Sequence, residues 1–277
     1  MIRFLKKLIK WCTPQGMVFL QEKLEAQRLQ SDSRYKQFQE DFYSKQKAHH
    51  LVLFKDASLN VYGQGAEDLL LRSFIANAES KPGYYVDIGA FHPVQASNTK
   101  YFYDRGWRGI NIEANPKSAE LFANMRPRDI NLNIGVSNEN GRMDFYFFGA
   151  EHSINTFNKN QAEAFSQHFQ LPIKEVISME VRHINEVLQE NIPSGQEIDF
   201  ISIDIEGMER KILEAIDFKM FQPKYILIED ISLEGDELDF KNWLKLQDSW
   251  QHQYLLAQGY QLLGKSPLTL LYKKGEA

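Results

Sequence analysis

The stretch Tyr84–Pro116, YYVDIGAFHPVQASNTKYFYDRGWRGINIEANP, decides the fold. It opens on an apolar run, Tyr84–Ile88, closed by a glycine-containing turn, which predicts a buried strand. Ser97–Arg105 is predicted as the helix that follows. Gly106–Gly109 then turns the chain into a second strand, Ile110–Glu113. Strand, turn, helix and strand in that order make one nucleotide-binding half of a doubly wound α/β sheet. Backbone N–H groups of the first turn and the start of the helix can approach a ligand there. Glu113, at the end of the second strand, can accept hydrogen bonds from both hydroxyls of a ribose. The plainer alternative is a solvated strand-end acid. The expected ligand is an adenosine-containing cofactor. The turn DIGAFHP holds one glycine, Gly89, where the pyrophosphate pattern GxGxxG needs three for steric reasons. A dinucleotide is therefore disfavoured, and a cofactor without phosphates, such as S-adenosylmethionine, fits better.

Further along, Pro116 sits where a helix begins, and that helix is expected to run to Met125. Ile130–Val136 reads as a third strand. Asn138–Gly141 reads as a tight turn, with Arg142–Phe148 as the hairpin partner of that strand. Residues 150–174 are polar and irregular around a short helix. Glu175–Met179 reads as a short strand and Ile184–Gln189 as a helix. Asp199–Ile205 and Lys224–Asp230 are strands, and Trp243–Gln258 is a helix that Gly259 ends. Tyr260–Leu263 and Leu268–Lys273 form a closing hairpin. Strands that are nearly all apolar and alternate with helices imply a sheet covered on both faces. The fold class expected is a Rossmann-like α/β domain, with a mostly parallel seven-stranded sheet and a C-terminal antiparallel hairpin.

Asp204 and Glu206 end the strand DFISIDIEG and are the next candidates to face the same crevice as Asp87 and Gly89. One can serve as general base towards a hydroxyl, or both can help hold a divalent metal. Helix capping is the structural alternative. Asp199, at the start of that strand, points to the opposite end. Glu229 ends the next strand and is a weaker candidate of the same kind. His92 is a further candidate base or substrate contact, against a merely positional histidine before proline. The other six histidines show no metal-ligand spacing, and no P-loop, HExxH or serine nucleophile elbow is present.

The chain has 277 residues, enough for one large domain with an extension. A net charge of −5 gives no support to bulk nucleic-acid binding. Cys12 is the single cysteine, so no intramolecular disulfide exists, which fits a reducing, cytoplasmic compartment. No apolar run reaches the length of about 18 residues that a transmembrane helix needs. Residues 1–12, MIRFLKKLIKWC, place Arg3, Lys6, Lys7 and Lys10 on one helical face and apolar side chains on the other. That is the pattern of a helix lying in a membrane interface, here the inner face, or of one packed on the domain or another subunit. The expected organisation is an amphipathic basic helix over 1–16, a polar helical linker over 17–58 and the main domain over 59–277. The oligomeric state is left open.

With these residues in view, the chain resembles the FkbM family of S-adenosylmethionine-dependent methyltransferases. Four pieces carry the resemblance: Gly63–Leu71 (GQGAEDLLL), Val86–Thr99 (VDIGAFHPVQASNT), Gly106–Pro116 (GWRGINIEANP) and Asp199–Leu213 (DFISIDIEGMERKIL). Asn133–Phe148 also fits. The resemblance implies a class I methyltransferase fold and methyl transfer, commonly to a hydroxyl of a sugar, glycan or related small molecule. It implies that Asp87 and Gly89 contact the methionine part of the cofactor and Glu113 the ribose, with Ala90 and Ala114 beside them. Ser97 and Asn98 would complete the loop side, and Asp204 and Glu206 the acceptor side. Many relatives carry a second glycine and an asparagine where this chain has Phe91 and Pro93. A nicotinamide-dependent oxidoreductase and a non-catalytic scaffold at a membrane surface are the competing readings.

Overall fold

The computed structural model describes residues 60–75, 78, 81–230 and 245–275. The helix expected over 1–16 and the linker over 17–58 fall outside them. Ten strands and seven helices are named here. In chain order they are α1 (Glu67–Arg72), β1 (Tyr84–Ile88), α2 (Lys100–Asp104), β2 (Arg108–Ile112), α3 (Pro116–Met125), β3 (Ile130–Leu132), β4 (Gly135–Ser137) and β5 (Gly141–Phe147). There follow α4 (Lys159–His168), β6 (Glu175–His183), α5 (Ile184–Asn191), β7 (Phe200–Ile203), α6 (Glu209–Ala215), β8 (Tyr225–Glu229), α7 (Trp250–Ala257), β9 (Tyr260–Lys265) and β10 (Thr269–Lys274). No described helix is long and apolar enough to cross a membrane.

The main sheet has seven strands in the order β3-β2-β1-β7-β8-β10-β9. The first five are parallel, and β10 runs antiparallel to both β8 and β9. Every residue of β1 is buried, as a strand covered on both faces requires. Its side chains alternate between two cores. Tyr84, Val86 and Ile88 join Ile201, Ile203, Ile226 and Ile228 beneath Leu188 of α5, Leu213 of α6 and Leu255 of α7. Tyr85 joins Phe200, Leu227 and Leu271 on the other face, packed by Leu70 and Leu71 of α1 and Tyr101 and Phe102 of α2. Asp87, in step with Tyr85, therefore lies on the α1/α2 side. Burial of these aliphatic and aromatic side chains stabilises the sheet by about 1.5–3 kcal/mol each.

Three expectations change. The apolar run Ile130–Val136 is two strands in two different sheets. Asn133 causes the break, because its Nδ2 donates to the carbonyls of Glu113 and Ala114, both at 2.9 Å, and turns the chain away from the main sheet. The continuation, β4, pairs with β6, and the second sheet has the order β4-β6-β5. β5 is thus no hairpin partner of β4, since the nine-residue β6 lies between them. The helix expected over 243–258 is interrupted at Ser249. That residue is extended (ψ 140°), and its hydroxyl caps α7 by accepting the His252 N–H at 3.2 Å.

Candidate active site

From β1 the chain winds outward through β2 and β3. It then returns to the other side of β1 to lay down β7 and β8. The crevice outside the carboxyl ends of β1 and β7 is the place where such a sheet binds ligands. A cavity of about 360 Å³ opens there. Asp87, Gly89, Ala90, Asn98, Glu113 and Ala114 line one side of it, and Asp204, Glu206 and Glu229 the other.

Gly89 is required where it stands. Its φ is +83°, and a Cβ would come 1.7 Å from the carbonyl oxygen of Asp204. The turns after β1 and β7 touch backbone to backbone. Asp87 is buried and pairs in register with Asn111 and Ser202, which makes a polar row across three strands. Its Oδ2 accepts the Thr99 hydroxyl at 3.0 Å. Burial pushes its pKa up to about 6, against the Thr99 bond and the nearby Arg126 charge. Glu113 uses its two oxygens separately: Oε2 accepts the Phe91 N–H and Oε1 the Asn115 N–H, each at 2.7 Å. Burial still pushes it up to about 7. A carboxylate has about four acceptor sites, so Glu113 keeps capacity for a further donor.

The loop between these acids is strained and buttressed. Phe91 and Ala96 hold φ of 50° and 49°, a region that costs non-glycine residues about 1–3 kcal/mol. The fully buried Arg126 holds the loop from beneath. Its guanidinium donates to the Pro93 carbonyl (Nε, 3.0 Å), to the Ser97 hydroxyl (3.2 Å) and to the Tyr85 hydroxyl (3.3 Å). Ser97 therefore supports the loop from inside and does not line the cavity. Asn98 does line it, and its Nδ2 donates to Ser202 Oγ at 3.1 Å. His92 is not brought to the cavity either. Its Nδ1 accepts the Val94 and Gln95 N–H groups at 3.1 and 2.9 Å, so the ring closes its own turn, and burial lowers its pKa.

Across the cavity, Asp204–Gly207 is a tight turn with Glu206 at φ +54° and Gly207 at +93°. Glu209 folds it, accepting the N–H groups of Ile205 and Gly207 at 3.0 Å. The loop before α4 clamps it from outside. Thr156 Oγ1 donates to the Glu206 carbonyl (2.8 Å), and Asn158 Nδ2 donates to the Gly207 carbonyl (2.9 Å). Burial, then the Glu209 charge, pushes Asp204 up to about 7. Burial and the Asp204 charge also raise Glu206. Glu229 joins them, with carboxylate oxygens of all three within 4.8 Å of one another. Glu209 falls within the Asp199–Leu213 piece, though no role was read for it there, and the clamp by Thr156 and Asn158 had no signal in the sequence.

The first of the four sequence pieces contributes more than a helix. Gln64 and Glu67 line the cavity. Glu67 accepts the Gly65 N–H at 2.8 Å and the Ser266 hydroxyl at 2.7 Å, which ties α1 to the closing hairpin. Asp68 is fully buried and accepts the Tyr62 and Gly63 N–H groups. Acids in a glycine-rich turn were the available signal. Part of the remaining wall is aromatic: Phe145 and Phe157 (ring centroids 4.8 Å apart) from the second sheet and its loop, and Phe165 and Phe169 from α4 and its end.

A match to the methyltransferase FkbM domain spans residues 87–262. The chain belongs to that family. It is a methyltransferase of class I topology, and S-adenosylmethionine is its methyl donor. Among curated proteins none matches the chain. Two solved structures are similar at a low level. Precorrin-6y C5,15-methyltransferase from Geobacter metallireducens GS-15 has 13% identity and a TM-score of 0.36, covering 80% of this chain and 94% of that one. An O-methyltransferase from Bacillus cereus in complex with SAH has 13% identity and a TM-score of 0.35, covering 86% of this chain and 91% of that one. The family rests on the domain match and not on these two.

The FkbM domain's cavity suits this donor. Glu113 lies at its wall as a hydrogen-bond acceptor, Gly89 lets the turns after β1 and β7 close on each other beside it, and the acids around it suit a ligand carrying a sulfonium and an ammonium group. At the far end of β7, Asp199 accepts the Tyr84 N–H at 2.9 Å and meets Lys224, so it belongs to the floor of the sheet and not to the site.

Proposed function

We propose that this methyltransferase methylates a hydroxyl on a sugar, glycan or related small molecule. The observation that carries the reading is the half-buried pair Asp204 and Glu206, set across the cavity from Glu113 and beside an aromatic wall. Carboxylates accept hydrogen bonds from sugar hydroxyls, and phenylalanine faces cover the apolar side of a sugar ring. S-adenosylmethionine, when bound, supplies an electrophilic methyl carbon whose bond to sulfur breaks with the electron pair left on sulfur. The chain's own work is to hold the acceptor oxygen in line with that carbon and to receive its proton. As the new O–C bond forms, the hydroxyl proton passes to a carboxylate oxygen of Asp204. A base whose pKa lies near 7 suits that task at neutral pH.

The loop before α4 and the second sheet form the wall that meets the acceptor, so acceptor choice is assigned to them. The glycans of cells with and without the protein, compared by mass spectrometry, test this reading. One additional methyl on an O-linked position is expected, and a methyl found only on nitrogen or carbon would replace it. Calorimetry with S-adenosylhomocysteine tests the donor side, and a folded sample that binds none would sink the reading. Asp204→Asn is expected to lower kcat by about a hundredfold with donor affinity retained.

A further inference from the structure

The charge of the cavity is not balanced by the protein. Glu67, Asp87, Glu113, Asp204, Glu206 and Glu229 line it, and no lysine or arginine does so among the described residues. The acids fall into two groups. Glu67, Asp87 and Glu113 each accept hydrogen bonds from backbone N–H groups or hydroxyls of the fold. The second group is Asp204, Glu206 and Glu229, whose carboxylates meet one another within 4.8 Å. Glu229 is 8% exposed, lines the cavity, and has in Oε2 a buried oxygen without a hydrogen-bond partner. Removing an acceptor from water and giving it no donor costs about 1–3 kcal/mol, more for a charged group. Burial raises the pKa of all three; the Glu209 charge adds to it at Asp204, where the contact with Glu229 works the other way, and the Asp204 charge adds to it at Glu206 and Glu229. A buried oxygen without a donor, beside two further carboxyls, is the signature of a partner supplied from outside the fold.

We infer that Asp204, Glu206 and Glu229 bind a divalent cation of the magnesium and manganese class. The donor set decides the class. It is all oxygen, with no histidine or cysteine, which favours hard cations over zinc or copper. Three protein oxygens leave coordination positions open for water and for the acceptor. A cation there lowers the pKa of a bound hydroxyl, so that its proton passes more readily to a carboxylate oxygen of Asp204 that the cation leaves free. The strained turn then has a purpose. Glu206 at φ +54°, held by Thr156 through its carbonyl, presents a third oxygen that an extended strand end would direct elsewhere. The cation deepens the O-methylation reading and rests on it for its purpose, while the binding itself is independent of that reading.

The test uses the full-length chain stripped of metal with a chelator and titrated with Mn²⁺, followed by calorimetry and by the loss of the free-ion electron paramagnetic resonance signal. One saturable Mn²⁺ per chain is expected, with competition by Mg²⁺. Binding of S-adenosylhomocysteine should persist in the presence of Mn²⁺. Glu229→Gln should weaken Mn²⁺ on the order of tenfold or more while leaving S-adenosylhomocysteine affinity within about twofold. Its melting temperature in the absence of metal should equal or exceed that of the wild type, because a buried carboxyl oxygen without a donor is gone, and the rise on adding Mn²⁺ should vanish. Glu206→Gln provides a second, half-buried site for the same comparison. No saturable Mn²⁺ in a folded wild-type chain that binds S-adenosylhomocysteine would overturn the inference. So would equal affinity in both variants, or mutual exclusion of Mn²⁺ and S-adenosylhomocysteine, which would make the acid cluster the seat of the donor's ammonium group. Mn²⁺ binding without any S-adenosylhomocysteine binding would instead overturn the donor assignment and leave the cation site standing.

Discussion

At the residue scale, two positions carry sharp consequences. Gly89 sits where two strand ends touch, so Gly89→Ala must displace the Asp204 carbonyl from 1.7 Å and hold φ +83° with a side chain. A loss of about 3 kcal/mol or more is expected from urea denaturation, with S-adenosylhomocysteine binding abolished. Glu113 gives a different kind of prediction. Its pKa is raised to about 7, so it gains a proton as the pH falls through that value and then accepts less from the ribose. Donor affinity measured by calorimetry should fall as the pH drops below about 7. Glu113→Gln should cost about 2 kcal/mol of binding at pH 8 and flatten that dependence. The placement of Asp87 and Glu113 at the cavity was legible because the two strand ends follow from the strand–helix–strand spacing alone. Arg126 was not. Its partners at Tyr85, Pro93 and Ser97 are distant in sequence, and an arginine at a helix end reads as a surface residue. His92 was misleading for a local reason: its ring is spent on N–H groups two and three residues ahead.

At the element scale, the acidic turn after β7 is shaped by a loop that belongs to the other sheet. Thr156→Val removes the 2.8 Å bond to the Glu206 carbonyl and leaves donor contacts alone. We expect kcat to fall on the order of tenfold at unchanged S-adenosylhomocysteine affinity, a split that general destabilisation would not produce. β1, α3 and β8 were readable because each is bounded by local chemistry: a glycine turn, a proline at the first helical position, a charged pair after an apolar run. The division of Ile130–Val136 was not readable. Its apolar residues continue on both sides of Asn133, and only the bonds from that amide to Glu113 and Ala114 end the strand. The pairing of β5 with β6 was hidden similarly, since Asn138–Gly141 predicts a turn but not which strand comes to lie beside it.

At the scale of the whole molecule, the site is held against the preference of the fold. Asp87 and Glu113 keep their protons to about pH 6 and 7, whereas ordinary carboxyls release them near 3.8 and 4.5. Between those limits the folded chain binds more protons than the unfolded one, so stability must decline as the pH rises. The melting temperature of the donor-free protein should therefore fall from about pH 5 to about 8, less steeply in Glu113→Gln, and saturating S-adenosylhomocysteine should restore it by mass action. A melting temperature that rises across this range would contradict the burial of these acids. The excursion of the chain through β4, β5, α4 and β6 has a separate consequence. It leaves the main sheet after β3 and returns to it at β7, and it brings the aromatic wall and the Thr156 clamp but neither Asp87 nor Glu113. The aromatic wall and the clamp are thus encoded in one uninterrupted length of polypeptide, apart from the strand ends that carry Asp87, Glu113 and Asp204. A transplant of residues 135–183 between homologous scaffolds should carry acceptor preference with it, as a cassette does, while the machinery that grips the donor stays behind.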